Sequence, residues 1–457
     1  MPISQAYAFF SDREYYLQLF RIGFPLAFQN LVLSCLNLVG VLMIGQLGET
    51  SVAAVGLANQ VFFLLNLLLF GITSGMAIFT AQLWGKGDIR NIRRVTGLSL
   101  GMSLLSGLFF FIVAVVFPRV TLSIYSPDAE VVELGSQYLR IAGWSYLFTA
   151  ITISYASILR SIGDVKTPLV VSLASLSLST GLSYVLIFGK FGFPILGVQG
   201  AAWSVVIARI IECVTLLWLV YRMNSPVAAS ITEMLSLDWS FIINVLRPVL
   251  PVAFNELLWS FGVTIYNLVY ARIGTGSIAA MNIVSSIDGI AMVVFIGLAN
   301  ATAILVGNYI GAGEEEKAYI YAGRSILLGV IGAVIMGGII SVFSPAVLGL
   351  YKVSTEVILI ARRVLIVLSV IYWIRVTNMV QYLGAFRSGG DTRFAFVMDG
   401  VVIWVVGVPL ALIGGLVFNL PVYWVYLLVM TEEFTKWLVG LIRFSSKKWI
   451  NNLAQTV

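Results

Sequence analysis

The stretch GITSGMAIFTAQLWGKG, residues 71–87, returns as GLANATAILVGNYIGAG, residues 297–313. Gly71, Ala77, Ile78, Gly85 and Gly87 meet Gly297, Ala303, Ile304, Gly311 and Gly313 at one offset of 226 positions. The register extends outward unbroken. Pro25, Ala27 and Phe28 recur as Pro251, Ala253 and Phe254, and Gly48, Ser51, Ala53 and Ala54 as Gly274, Ser277, Ala279 and Ala280. After one inserted residue, Arg160, Ser161, Gly163 and Asp164 match Arg387, Ser388, Gly390 and Asp391. Two copies this long are too few and too large for a solenoid. In an apolar chain, tandem halves predict a two-lobed transporter with its site at the pseudo-symmetry interface.

Hydrophobic residues make up 60% of the 457 positions and charged residues only 11%, against about 25% charged in soluble proteins. Apolar runs between charged or Gly/Pro-rich breaks mark about 12 helices of membrane length. Their cores fall near 22–43, 54–81, 96–118, 134–158, 168–189 and 197–221, then 247–270, 278–308, 322–347, 358–385, 394–415 and 421–443. The fold class is therefore an all-α polytopic membrane protein with two pseudo-symmetric six-helix lobes, residues 1–227 and 228–457. Six spans per half relate the lobes by an axis along the membrane normal. Pro25 and Pro251 are expected one turn into the first helix of each lobe, and residues 222–246 form the linker.

The net charge of +6 is one-sided. Lys86, Arg90, Arg93, Arg94, Arg160, Lys166, Arg222, Lys317, Arg324, Arg387, Arg393, Arg443, Lys447 and Lys448 fall on one side if every run crosses. The other holds Arg119, Lys190, Arg272 and Lys352, with Arg362 and Arg363 close by. This bias places both termini in the cytoplasm and makes the chain a multi-pass cell-membrane protein, with lipid rather than nucleic acid as its partner. The chain has no histidine, which removes His-based metal sites, triads and proton relays. Cys35 and Cys213 both lie in apolar runs, so no disulfide framework is expected.

Glu256 stands nine residues beyond Arg247 in an otherwise apolar span, roughly 13 Å deep at 1.5 Å per residue. A charge at that depth costs at least about 2.5–3.5 kcal/mol, so a proton, a cation or a basic partner must neutralise it. The first two make it a coupling site, the third a structural ion pair. Its counterpart in the first copy is Asn30. Arg209 and Glu212, three apart, predict a local ion pair. Arg375 has Glu256 or Asp288 as its candidate partners, Asp288 itself lines a vestibule or faces headgroups, and Asp399 reads as interfacial. The paired Arg-Ser-x-Gly-Asp strings read as structural turns. Asn30, Asn255, Trp259, Asp288, Arg375 and Asn378 are the candidates for a pathway or substrate cavity. Runs rich in small residues, such as Ser172–Ser179, read as helix packing.

Met43-Ile44-Gly45-Gln46-Leu47-Gly48, Ala81-Gln82-Leu83-Trp84-Gly85-Lys86-Gly87, the paired Arg-Ser-x-Gly-Asp turns and Gly197-Val198-Gln199-Gly200-Ala201-Ala202 resemble the multidrug and toxic compound extrusion (MATE) family over essentially the whole chain. The resemblance implies a monomeric secondary antiporter, not an enzyme. It would export lipophilic organic cations in exchange for Na+ or H+ by rocking two lobes, with no resident cofactor. It places Glu256 on the family's seventh-helix coupling carboxylate and Tyr372 on a tyrosine of the same site, with Na+ at Glu256 the one metal expected. Two positions depart from the family pattern. Gly40 stands where many members carry a first-helix aspartate, and Val376, beside Arg375, where many sodium-coupled members carry a tenth-helix aspartate. A related lipid or oligosaccharide flippase is the alternative; it would need a basic cavity, with Arg140, Arg209 and Arg375 as candidates.

Overall fold

The structure, a computed structural model, describes residues 12–351 and 353–457; Lys352 lies outside them. The first repeat runs α1 (Arg13–Gly45), α2 (Glu49–Lys86), α3 (Ile89–Val115), α4 (Ala129–Ala142), α5 (Ser145–Ser161), α6 (Lys166–Phe188) and α7 (Val198–Arg222), followed by a short α8 (Ile231–Leu235). The second runs α9 (Trp239–Ile273), α10 (Thr275–Gly311), α11 (Glu315–Leu348), α12 (Thr355–Phe386), α13 (Thr392–Val417), α14 (Val422–Val429) and α15 (Thr431–Ser445). Among the described residues ten helices are long and apolar enough to cross a membrane, or eleven if α4 and α5 form one span. The protein is a polytopic helical membrane protein, as its apolar runs require.

Most spans match their expected cores, and the differences have local causes. The run expected as one helix over 134–158 is bent by 51° between α4 and α5. At the bend a side-chain carbon on Gly143 would come within 2.8 Å of the Val115 side chain and 2.9 Å of Ala114 Cβ, so the α3 side chains press on the bare backbone there. Ser145 Oγ also donates to the Ala142 carbonyl at 2.6 Å; Gly and Ser together are a usual cause of a sharp kink. Pro25 and Pro251 are not at helix starts. Because α1 begins at Arg13 and α9 at Trp239, both lie in helix interiors, where the missing N–H breaks one turn of bonding.

The chain forms two compact units. One holds Phe28–Val249; the other holds residues 12–27 with Leu250–Thr456. Both α1 and α9 therefore change unit close to their prolines. Relative to the sequence halves 1–227 and 228–457, the segments before Phe28 and before Leu250 are exchanged.

Within each unit, lipid supplies no hydrophobic force between helices, so close van der Waals approach must hold them. In the Phe28–Val249 unit, a carbon on Gly200 of α7 would lie 2.6 Å from the Leu186 backbone of α6. In the other, one on Gly337 of α11 would lie 2.5 Å from the Ser369 carbonyl of α12. Outward positions such as Leu105, Phe109 and Val342 remain exposed, as a lipid-facing surface requires.

The linker is ordered. Ser230 and Glu233 form a reciprocal cap on α8, which lies on α3. Arg93 Nη1 meets Glu233 Oε1 at 2.6 Å, Arg94 pairs with Asp238, and the Arg94 guanidinium stacks 3.9 Å over the Phe241 ring. Gly97 leaves room for the Met234 backbone. The Ser230 backbone N–H, then the Arg93 guanidinium, hold the Glu233 carboxyl down at about 2.

Candidate functional site

Glu256 on α9 is part-buried in the unit containing Leu250–Thr456, and its partner is not Arg375. Arg387 Nη1 donates to Glu256 Oε1 at 2.8 Å. Arg387 lies just past the C-terminal end of α12, in the string read as a tight turn. The turn exists: Gly390 has φ +79° and the Asp391 N–H bonds the Phe386 carbonyl at 2.9 Å. Asp391, however, accepts from Arg443 Nε at 2.7 Å, which leaves Arg387 to turn inward. Wide turns over Val380–Phe386, in which the Arg387 N–H reaches the Tyr382 carbonyl five residues back, set its direction. Such turns gather at functional sites.

From Arg387 the charges continue. Its Nη2 lies 3.5 Å from Asp399 Oδ2, so Asp399, expected at the interface, belongs to this interior network. Lys436 of α15 lies 3.4 Å from Asp399, 3.7 Å from Glu432 and 3.8 Å from Glu433. Asn255 Nδ2 donates to Asp399 at 2.9 Å, and Asn378 Nδ2 donates to the Glu433 side chain and carbonyl at 2.7 Å each. Tyr266 donates its hydroxyl to Glu432 Oε2 at 2.7 Å, and Gly407 leaves the space for that bond, since any side-chain carbon there would overlap both groups. The network sets four carboxylates, Glu256, Asp399, Glu432 and Glu433, against two cations, Arg387 and Lys436. Arg387, Glu432 and Lys436 are each at most 5% exposed. Buried charge is stable only when balanced, so an acid excess here favours uptake of a positive ion.

The other expected residues distribute as follows. Arg375 pairs with Asp288 at 3.0 Å, which places Asp288 in an ion pair rather than among headgroups. Tyr372 is fully buried, with its hydroxyl 3.9 Å from Met292 Sδ and its ring edge-on to Phe295; among the described residues it makes no bond to Glu256. Trp259 is 43% exposed. Asn30 lies in the other unit, where its carbonyl accepts from Ser34. Arg209 and Glu212 form the expected pair at 2.7 Å, and Arg140 is exposed. Reading for a lone acid passed over Glu432, Glu433 and Lys436. Their signal was available: carboxylates at i and i+1 with a lysine at i+4 inside an apolar run.

Two related helical repeats, membrane-length spans and a charged interior define a polytopic membrane transporter. The MatE family profile matches residues 25–185 and 251–413, the two copies starting 226 positions apart, and the chain belongs to this family of multidrug efflux transporters. Among its relatives, "Uncharacterized transporter YisQ" of Bacillus subtilis is 24% identical over 94% of each chain. "Probable multidrug resistance protein YoeA" of the same organism is 28% identical over 85% of this chain and 84% of that one. The solved outward-facing structure of a multidrug resistance MATE family transporter of the MOP superfamily superposes with a TM-score of 0.83 at 22% identity, over 94% of this chain and 96% of that one. That likeness supports the two-lobed helical fold.

Proposed function

We propose that this chain is a secondary active antiporter that exports small organic compounds in exchange for Na+ or H+ by alternating access, and that the coupling ion is taken up by the buried network around Glu256. The observation that supports this is the acid excess: four carboxylates and two cations inside one unit. An ion that binds there changes the balance between conformations only if one conformation holds it better. Exchange of partners around Arg387 and Lys436 offers such a difference, because each contacts more than one carboxylate. Glu256 is then one member of a shared site rather than a lone carrier, with Tyr266, Asn255 and Asn378 orienting its carboxylates and Tyr372 buried in the same unit against Met292 and Phe295. Lipophilic cations, the substrate class implied by the family, would be met by this same acidic face.

In this reading the protein is a monomer in the cell membrane with both termini in the cytoplasm, and works without a resident cofactor. A flippase has less support: Arg375 is engaged by Asp288, Arg140 is exposed, and Arg209, though it lines a cavity, shares its charge with Glu212.

The test is efflux of a fluorescent cation, rhodamine 6G, from proteoliposomes under separately imposed sodium and pH gradients. Wild-type protein is expected to respond to one of them. Glu256→Gln is expected to lower the driven rate at least tenfold while the protein still inserts. Unchanged driven efflux by Glu256→Gln would remove Glu256 from the coupling site.

A further inference from the structure

The unit Phe28–Val249 encloses a cavity of about 340 Å³, a size that suits a small ligand. Its polarity is the reverse of the acidic network. Gly40 forms part of the wall at the position where the family often has an aspartate, and nothing lies within 4 Å of where its side chain would begin. The single charged side chain lining the cavity is Arg209.

Arg209 uses Nη1 for Glu212 Oε2 at 2.7 Å, and among the described residues its remaining N–H groups bond no protein atom. Glu212 is only 4% exposed and does not line the cavity, so the face presented to a ligand is the guanidinium. Ser175, which also lines the cavity, secures Glu212 from the other side at 3.3 Å. One turn further along α6, Ser179 presents a hydroxyl with no protein partner among the described residues. The serine-rich run read as packing thus supplies one polar wall, and the apolar remainder includes Phe62 and Tyr146.

We propose that this cavity binds a small organic anion, a carboxylate or sulfonate on an apolar body, with the acid group on Arg209 and the body against Phe62 and Tyr146. A guanidinium offers a fork of donors matched to such groups, and it repels the cations that the acidic network favours. As a statement about cargo, the assignment rests on the export reading above; as a statement about binding, it stands apart from it.

The test uses purified full-length protein and two probes of one shape, naphthalene-2-sulfonate and 2-naphthyl-trimethylammonium, by titration calorimetry. The part of each titration that Arg209→Gln abolishes is expected to favour the sulfonate over the ammonium at least tenfold. Arg209→Gln should lose that preference, and Gly40→Asp should invert it. The double variant Arg209→Gln/Glu212→Gln removes both charges of the pair: it should melt near the wild-type temperature yet bind the sulfonate at least tenfold more weakly. Absence of any Arg209-dependent sulfonate binding in wild-type protein, or full sulfonate binding by the double variant, would overturn the proposal; the latter would reduce Arg209 to a neutraliser of Glu212. None of these titrations involves a gradient, so a failure of driven efflux leaves their outcome intact.

Discussion

Glu256 and Arg387 show what one buried charge demands of its neighbours. Deleting one partner of a buried pair costs about 3–5 kcal/mol, because the other is left uncompensated. Arg387→Gln is therefore expected to destabilise the protein by about that amount, since it strips Glu256 and Asp399 of a shared cation. The double variant Glu256→Gln/Arg387→Gln should recover much of the loss, which thermal melting in detergent will measure. Glu256 was legible in the sequence because a lone acid in an apolar run demands a proton, a cation or a basic partner. Arg387 was not: its spacing to Asp391 announces a turn, but spacing says nothing of which way a side chain points. Gly40 was legible as a missing acid, whereas the guanidinium across the cavity depended on how α6 and α7 pack.

At the scale of elements, the helices were visible in the apolar pattern and their irregularities were not. Hydropathy cannot register a 51° bend at Gly143 or the wide turns of α12 and α13, because both preserve composition. Gly407 sits at the end of one such segment and admits Tyr266 to Glu432. Gly407→Ala is expected to cost about 1–3 kcal/mol, the usual range for overpacking, and to slow cation-driven efflux with it. The same limit applied to the linker, read from its polar composition only as a connection, while its capping residues fold it onto α3. Gly97→Leu should displace Met234 and raise hydrogen exchange over residues 230–238, with little change elsewhere. The Glu233 carboxyl is held low, so its contribution to docking is full above the unfolded value of about 4.3 and lost only as pH falls toward about 2. Exchange protection of α8, corrected for intrinsic rates, should therefore be constant between pH 8 and pH 5.

For the whole molecule, the duplication read from residues 71–87 and 297–313 points to the six-plus-six plan, and the charge bias predicts its orientation. That orientation is checked with an impermeant maleimide on single-cysteine variants. Gly87→Cys and Ser446→Cys should react from the cytoplasmic face, and Lys190→Cys from the opposite one. What duplication could not convey is that the copies have traded their leading segments: residues 12–27 pack with the second copy, and those just before Leu250 with the first. Neither copy, made alone, holds all the chain its own core needs. Fragments 1–227 and 228–457 are expected to aggregate when expressed separately and to yield a monodisperse particle when expressed together, as size exclusion will report. An ancestor of half the length could have met this need by pairing with its twin. With the acidic network in one half and the Arg209 cavity in the other, neither half of the present chain carries the chemistry to stand in for its sibling.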